Sequence, residues 1–120
     1  MKAILNLVER YFDLMYTCDV EHFDRVFHRS AQLQAVAQNG YSVMTFDEYK
    51  RVLKERVSPA SKGDPRDFEI LMLDVTGEHT AMVKVSAKMN QAHYIDYLSL
   101  LKVDGEWLVV AKVYHVGPLA

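Results

Sequence analysis

Along residues 2–17 the polar positions Lys2, Asn6, Glu9, Arg10, Asp13 and Thr17 recur every three to four residues and make one stripe, which predicts a helix. Ile4, Leu5, Val8, Tyr11, Phe12, Met15 and Tyr16 cover the rest of its surface, so this helix is expected to be buried on more than one side. Asp19 is placed to cap a short second helix that packs Phe23, Val26 and Phe27. Residues 31–38 read as a strand, Asn39-Gly40 as a two-residue hairpin turn, and 41–44 as the return strand. Thr45 and Glu48 form a capping box, with Met44 and Tyr49 positioned as its hydrophobic staple. The helix they open presents Phe46, Tyr49, Val52 and Leu53 to one side, and residues 58–67 carry the longest loop signal.

From Phe68 onward the period changes to two. Four strands are predicted, 68–76, 79–89, 92–103 and 106–116, broken at Gly77-Glu78, Asn90-Gln91 and Asp104-Gly105. Helices first and a long meander last read as an α+β domain spanning residues 1–120, with no repeat or interdomain linker. If each turn has two residues, counting sets the registers. Leu100 then pairs with Val109, Leu98 with Ala111, Asp96 with Val113 and Tyr94 with His115; Val85 pairs with Asp96, Met72 with Val83, and Ile70 with Val85.

Directly paired residues share a face. One face therefore collects Phe68, Ile70, Met72, Ala81, Val83, Val85, Ala87, Leu98, Leu100, Trp107, Val109 and Val113, which the helices must cover. Tyr94, Asp96 and His115 fall on the same face toward one end. The opposite face carries Leu71, Leu73, Tyr97, Leu101, Leu108, Val110 and Tyr114 among Lys84, Lys112 and Ser99. That face is too apolar to be turned to water, and it predicts a homodimer built on Tyr97, Leu101, Leu108, Val110 and Tyr114.

Composition narrows the partners. The net charge of -2, with basic residues scattered among acidic ones, argues against a nucleic-acid binder or a polybasic membrane anchor. No apolar stretch is long enough to span a bilayer, and Asn6, Glu9 and Arg10 interrupt the N-terminal run before it resembles a signal-peptide core, so a cytoplasmic location is expected. Cys18 is the one cysteine, which leaves no intrachain disulfide and no thiolate metal site. The histidines show no metal-ligand spacing, and no phosphate loop or nucleophile elbow is present; neither a metal nor a cofactor is expected.

The order of elements, ending in Asp104-Gly105-Glu106-Trp107, resembles the nuclear transport factor 2-like superfamily. The run from Tyr94 through Trp107, followed by Val110-Ala111-Lys112-Val113-Tyr114, is similar to its branch called putative lumazine-binding, as are Phe68-Glu69-Ile70-Leu71 and Asp74-Val75-Thr76-Gly77. The resemblance covers about Leu5 to Val116. It implies a cone-shaped, cystatin-like fold, a curved antiparallel sheet around N-terminal helices, and commonly dimers through the outer sheet face. Superfamily members include ketosteroid isomerases, polyketide cyclases and dehydratases that work with an Asp, His or Tyr inside the cone, beside noncatalytic transport and assembly domains.

On these registers Asp96 lies among Val85, Leu98 and Val113, where desolvation suits it to general acid–base work; the plainer alternative is a structural carboxylate bonded to a neighbouring group. His115, opposite Tyr94 and diagonal to Asp96, could complete an Asp–His–Tyr cluster, or be a rim histidine near the chain end. The expected ligand-binding set is Tyr16, Tyr94, Asp96, Leu98, Trp107, Val113 and His115. Three functions follow: a dimeric domain binding a small apolar or aromatic ligand; a cofactor-free isomerase, cyclase or dehydratase using Asp96 and His115; or a protein-interaction module with a vestigial pocket.

Overall fold

A computed structural model describes residues 1–119 of the chain. Helix α1 (Lys2–Thr17) leads, and a 3-10 turn (Val20–Arg25) follows it. Next come β1 (Phe27–Ala37), β2 (Gly40–Thr45), α2 (Phe46–Glu55) and a second 3-10 turn (Ala60–Lys62). Strands β3 (Asp67–Thr76), β4 (Thr80–Met89), β5 (Ala92–Val103) and β6 (Glu106–Gly117) complete the chain. The strands form one curved, unclosed six-stranded sheet in the order β2-β1-β6-β5-β4-β3, and the helices fill its concave side. The α+β cone is as expected, with one departure: β1 and β6 run parallel, so the sheet is mixed.

Local chemistry explains most of the boundaries. α1 buries Ile4, Leu7, Val8, Tyr11, Phe12, Leu14 and Met15, whereas Leu5 is exposed. It ends at Cys18, which takes the left-handed conformation (φ 55°) while its N–H bonds Leu14 O. The Asp19 side chain accepts from Glu21 N and starts the 3-10 turn, leaving Phe27 to open β1. α2 has both halves of the capping box, Thr45 accepting from Glu48 N and Glu48 accepting from Thr45 N. Its buried residues are Phe46, Tyr49 and Leu53; Val52 turns outward.

Three features differ from the expected registers. The first hairpin turns on Gln38-Asn39, one residue earlier than expected, because Gly40 supplies the positive φ (95°) at the start of β2. Gly77 to His79 make a three-residue turn, since Thr76 faces Thr80. Leu73, not Met72, therefore sits opposite Val83, and Met72 is exposed on the outer side. A bulge between Ile70 and Met72 then restores the expected Ile70–Val85 pair. The third departure, in β6, shapes the site.

The core joins both layers. Phe23 stacks on Phe27 at 5.0 Å between ring centroids and meets Phe46 edge-on at 4.8 Å, while Tyr49 meets Phe27 edge-on at 5.6 Å. Tyr11, Leu33, Val83, Val85, Leu98, Leu100 and Val109 are buried beside them. Each such side chain contributes about 1.5–3 kcal/mol of burial. Near the loop ahead of β3, Arg66 bonds Glu9 and Asp13 of α1 at 3.0 and 2.7 Å and lies 5.6 Å over the Tyr16 ring. Among the described residues no helix is long and apolar enough to cross a membrane.

Candidate functional site

Asp104 and Gly105 both have positive φ, as a tight two-residue turn requires, and β5 and β6 leave it in the expected register: Leu101 faces Leu108 and Leu100 faces Val109. The next pair is Ser99 with Ala111, so Val110 is an extra residue. This bulge reverses the facing of everything after it. Leu98 pairs with Lys112, Asp96 with Tyr114 and Tyr94 with Val116. The expected pairs Leu98–Ala111, Asp96–Val113 and Tyr94–His115 are not formed, and neither is the placement of Lys112 and Tyr114 on the outer face. Val113 and His115 turn outward and are exposed; Lys112 is buried, and Tyr114 packs against the core.

The result is a buried polar cluster in the cone. Asp96 Oδ2 accepts the Tyr11 hydroxyl at 2.5 Å and lies 3.7 Å from Lys112 Nζ. Lys112 Nζ also donates to the Tyr49 hydroxyl at 3.3 Å, and that hydroxyl donates to Met15 Sδ at 3.4 Å. The ammonium stands 5.1–5.3 Å from the ring centroids of Tyr11, Tyr49 and Tyr114. A buried cation faced by aromatic rings and a carboxylate recovers part of its lost hydration. Asp96 is 0% exposed and its Oδ1 has no hydrogen-bond partner among the described residues.

Protonation follows from this packing. Burial pulls the Lys112 ammonium down, but the Asp96 charge, followed by the Tyr49 hydroxyl, outweighs it and raises Lys112 above the ordinary lysine value. Burial first, and the Asp96 charge next, push the Tyr11 phenol well above its usual value. Near neutral pH, Lys112 is therefore a cation and Tyr11 a neutral donor.

A cavity of about 130 Å³ reaches this cluster, bounded by Ala37, Met44, Tyr49, Arg56, Met89, Tyr94, Lys112, Tyr114 and Val116. Lys112, Tyr49 and Tyr114 touch it; Tyr11 and Asp96 do not bound it and reach it only through Lys112. Of the expected site residues, Tyr94 lines the cavity, whereas Asp96 and Leu98 are buried opposite Tyr114 and Lys112 and do not bound it. Tyr16 is elsewhere, donating to Asp64 O at 2.6 Å and meeting Phe68 edge-on. Trp107 is buried beyond the bulge, opposite Lys102. Val113 and His115 are outside the cone. Sequence reading missed Lys112, Tyr11, Tyr49, Tyr114 and Arg56. A usable signal is present in the sequence: a carboxylate in an apolar interior calls for a counter-charge within reach. No group of three or more metal-ligating side chains occurs among the described residues.

Residues 1–115 match the family model described as putative lumazine-binding. The chain belongs to that family. Solved structures similar to this putative lumazine-binding protein include an NTF2-like protein of unknown function from Shewanella baltica OS155, with 22% identity, a TM-score of 0.85 and coverage of 98% and 93% of the two chains. Another, from Silicibacter pomeroyi DSS-3 and also of unknown function, has 22% identity, a TM-score of 0.78 and coverage of 96% and 93%. A cystatin-like fold protein from Burkholderia xenovorans LB400 has 12% identity, a TM-score of 0.71 and coverage of 99% and 92%. These likenesses establish the fold. A curated relative, aldolase FrzH of Cladobotryum sp, is 42% identical over 41 residues, 32% of this chain; the match spans about a third (33%) of that relative.

Proposed function

We propose that this chain is a single small-molecule-binding domain whose ligand sits in the cavity beside Lys112. The observation that carries this reading is the Lys112 ammonium, buried, kept charged by Asp96, ringed by tyrosines and yet open to a cavity on one side. Mixed aromatic and polar walls of this kind suit a flat ligand with an oxygen acceptor. Asp96 acts through its neighbours, holding Lys112 in place and orienting Tyr11. The family description makes lumazine the first compound to test.

The test is a thermal-shift panel of lumazine and other pterins, flavins, steroids and aromatic polyketides. It is run on the wild type and on the Lys112→Met/Asp96→Leu double variant, which removes both charges together. A compound that raises Tm in the wild type and not in the double variant supports the reading. If wild type and variant respond alike to every compound, the cavity is not the binding site, and the interaction-module reading takes its place.

A second reading, a cofactor-free enzyme, is favoured by the short match to an aldolase and by the charge state of Lys112. In that reading Lys112 Nζ passes a proton to Asp96, the neutral amine takes the α-proton of a bound ketone, and the enolate is stabilised by the re-formed Lys112 ammonium while Asp96 holds the displaced proton. Loss of the α-hydrogen signal of a bound ketone in heavy water, absent in the double variant, is the expected outcome.

We also infer a cytoplasmic homodimer through the outer sheet face. Val36, Tyr41, Val43, Tyr97, Leu101 and Val113 are exposed there across four strands, although Leu108 is buried, Val110 sits at the bulge and Tyr114 faces inward. Light scattering should give twice the chain mass, and Tyr97→Asp should halve it.

A further inference from the structure

We propose that the ligand of the Lys112 cavity is a planar conjugated anion, an aromatic carboxylate or an enolate of the same shape, whose charged end meets Arg56 while its ring lies among Tyr49, Tyr94 and Tyr114. This rests on the cavity being the ligand site and adds the charge and shape of the occupant.

The charges around the cavity point this way. Two of its bounding residues, Lys112 and Arg56, are cationic and none is acidic. The Lys112 charge is answered from behind by Asp96. Arg56, like most other lysines and arginines here, has no carboxylate within ion-pairing distance among the described residues, but of these it alone bounds the cavity. It closes α2, where its N–H bonds Leu53 O and the backbone becomes extended (φ −75°, ψ 141°), and it is half-buried. A guanidinium offers five donors in a fixed fork that fits a carboxylate. Its positive charge already acts on buried neighbours, favouring the ionised forms of Tyr11 and Cys18. An incoming anion is the partner this arrangement lacks.

The inner end of the cavity selects for a ring. Lys112 carries three N–H donors, of which Tyr49 takes one and Asp96 attracts another, so one remains for a ligand oxygen. The volume of about 130 Å³ is close to that of a protein cavity known to admit benzene, about 150 Å³. One six-membered ring fits; a second fused ring must lie toward Arg56 or displace Met44 and Met89, both of which bound the cavity and are flexible. A singly charged, one-ring acid satisfies the Arg56 end, and an oxygen on the far side of its ring satisfies Lys112.

The experiment is isothermal titration of benzoate and its neutral isostere benzamide into the wild type and Arg56→Gln at low salt. Benzoate is expected to bind the wild type about tenfold more tightly than benzamide, the size of one charge-assisted contact, and Arg56→Gln should remove that advantage by weakening benzoate more than benzamide. Should Arg56→Gln fold poorly, the wild type still decides: added sodium chloride must weaken benzoate and spare benzamide. Equal binding of acid and amide, or an advantage that survives both tests, overturns the anion and leaves the binding site standing. If neither probe binds and the thermal-shift panel is also silent, the site and the anion fall together.

Discussion

The β4–β5 and β5–β6 hairpins begin alike and end differently. Each turns on two residues with positive φ, and each leaves its turn in the register that counting predicts. Along β4–β5 that register continues unbroken from Met89–Ala92 to Thr80–Leu101, and every inward position is apolar except Asp96. Along β5–β6 it lasts only to Leu100–Val109, where Val110 intervenes. Alternation then changes phase, and Lys112 and Tyr114 enter the cone in place of Val113 and His115. An unbroken hairpin extends a wall; a broken one re-aims side chains, and here it brings a cation to the carboxylate presented by the other hairpin.

Removal of the cation perturbs the broken hairpin most severely. Lys112→Met leaves Asp96 buried without a counter-charge and should cost about 3–5 kcal/mol in urea unfolding, whereas adding Asp96→Leu should restore much of the loss. The same pair sets an alkaline limit. Lys112 is raised on folding, so its contribution is whole below its unfolded value of 10.5 and is lost as pH climbs through the higher folded value. Tyr11, also raised, acts in the same direction above pH 10.0. Tm should therefore fall steeply in that range, and the fall should be shallower in the double variant.

Smaller perturbations separate the two hairpins further. Tyr11→Phe deletes the hydroxyl that donates to Asp96 and should cost about 1.5–3 kcal/mol, measured by chemical denaturation. Gly105→Ala, at φ 83° with open space around it, tests the turn alone and should cost about 1 kcal/mol while leaving ligand-induced Tm shifts unchanged.

Legibility in the sequence followed how local each signal was. α1 was read to the residue, and the Thr45–Glu48 capping box and the Asp104-Gly105 turn were identified, because each depends on neighbours within a few positions. The bulges at Leu71 and Val110 left no such mark. Val110 lies in a run, Trp107-Leu108-Val109-Val110-Ala111, that is apolar on both phases, so a change of phase costs no apolar residue its burial and alternation cannot reveal it. Counting puts Asp96 inside correctly because it lies on the unbroken hairpin, and puts Lys112 and Tyr114 outside because they lie past the break. Arg56, at a helix end, and the parallel β1–β6 pairing depend on contacts remote in sequence.

That parallel pairing has a consequence for how the chain comes to be folded. β6 lies inside the sheet, between β1 and β5, although both of its neighbours precede it in sequence. Until it is in place, the hairpin β1–β2 and the meander β3–β5 are separate pieces, each with an open hydrogen-bonding edge where β6 belongs. Joining them brings Leu33 to Lys112 and so closes most of the chain into one loop, a step that slows folding. A folding chain in which β6 is not yet paired therefore holds two unsatisfied sheet edges and leaves Asp96 without its counter-charge, and the cone exists only once that strand is inserted.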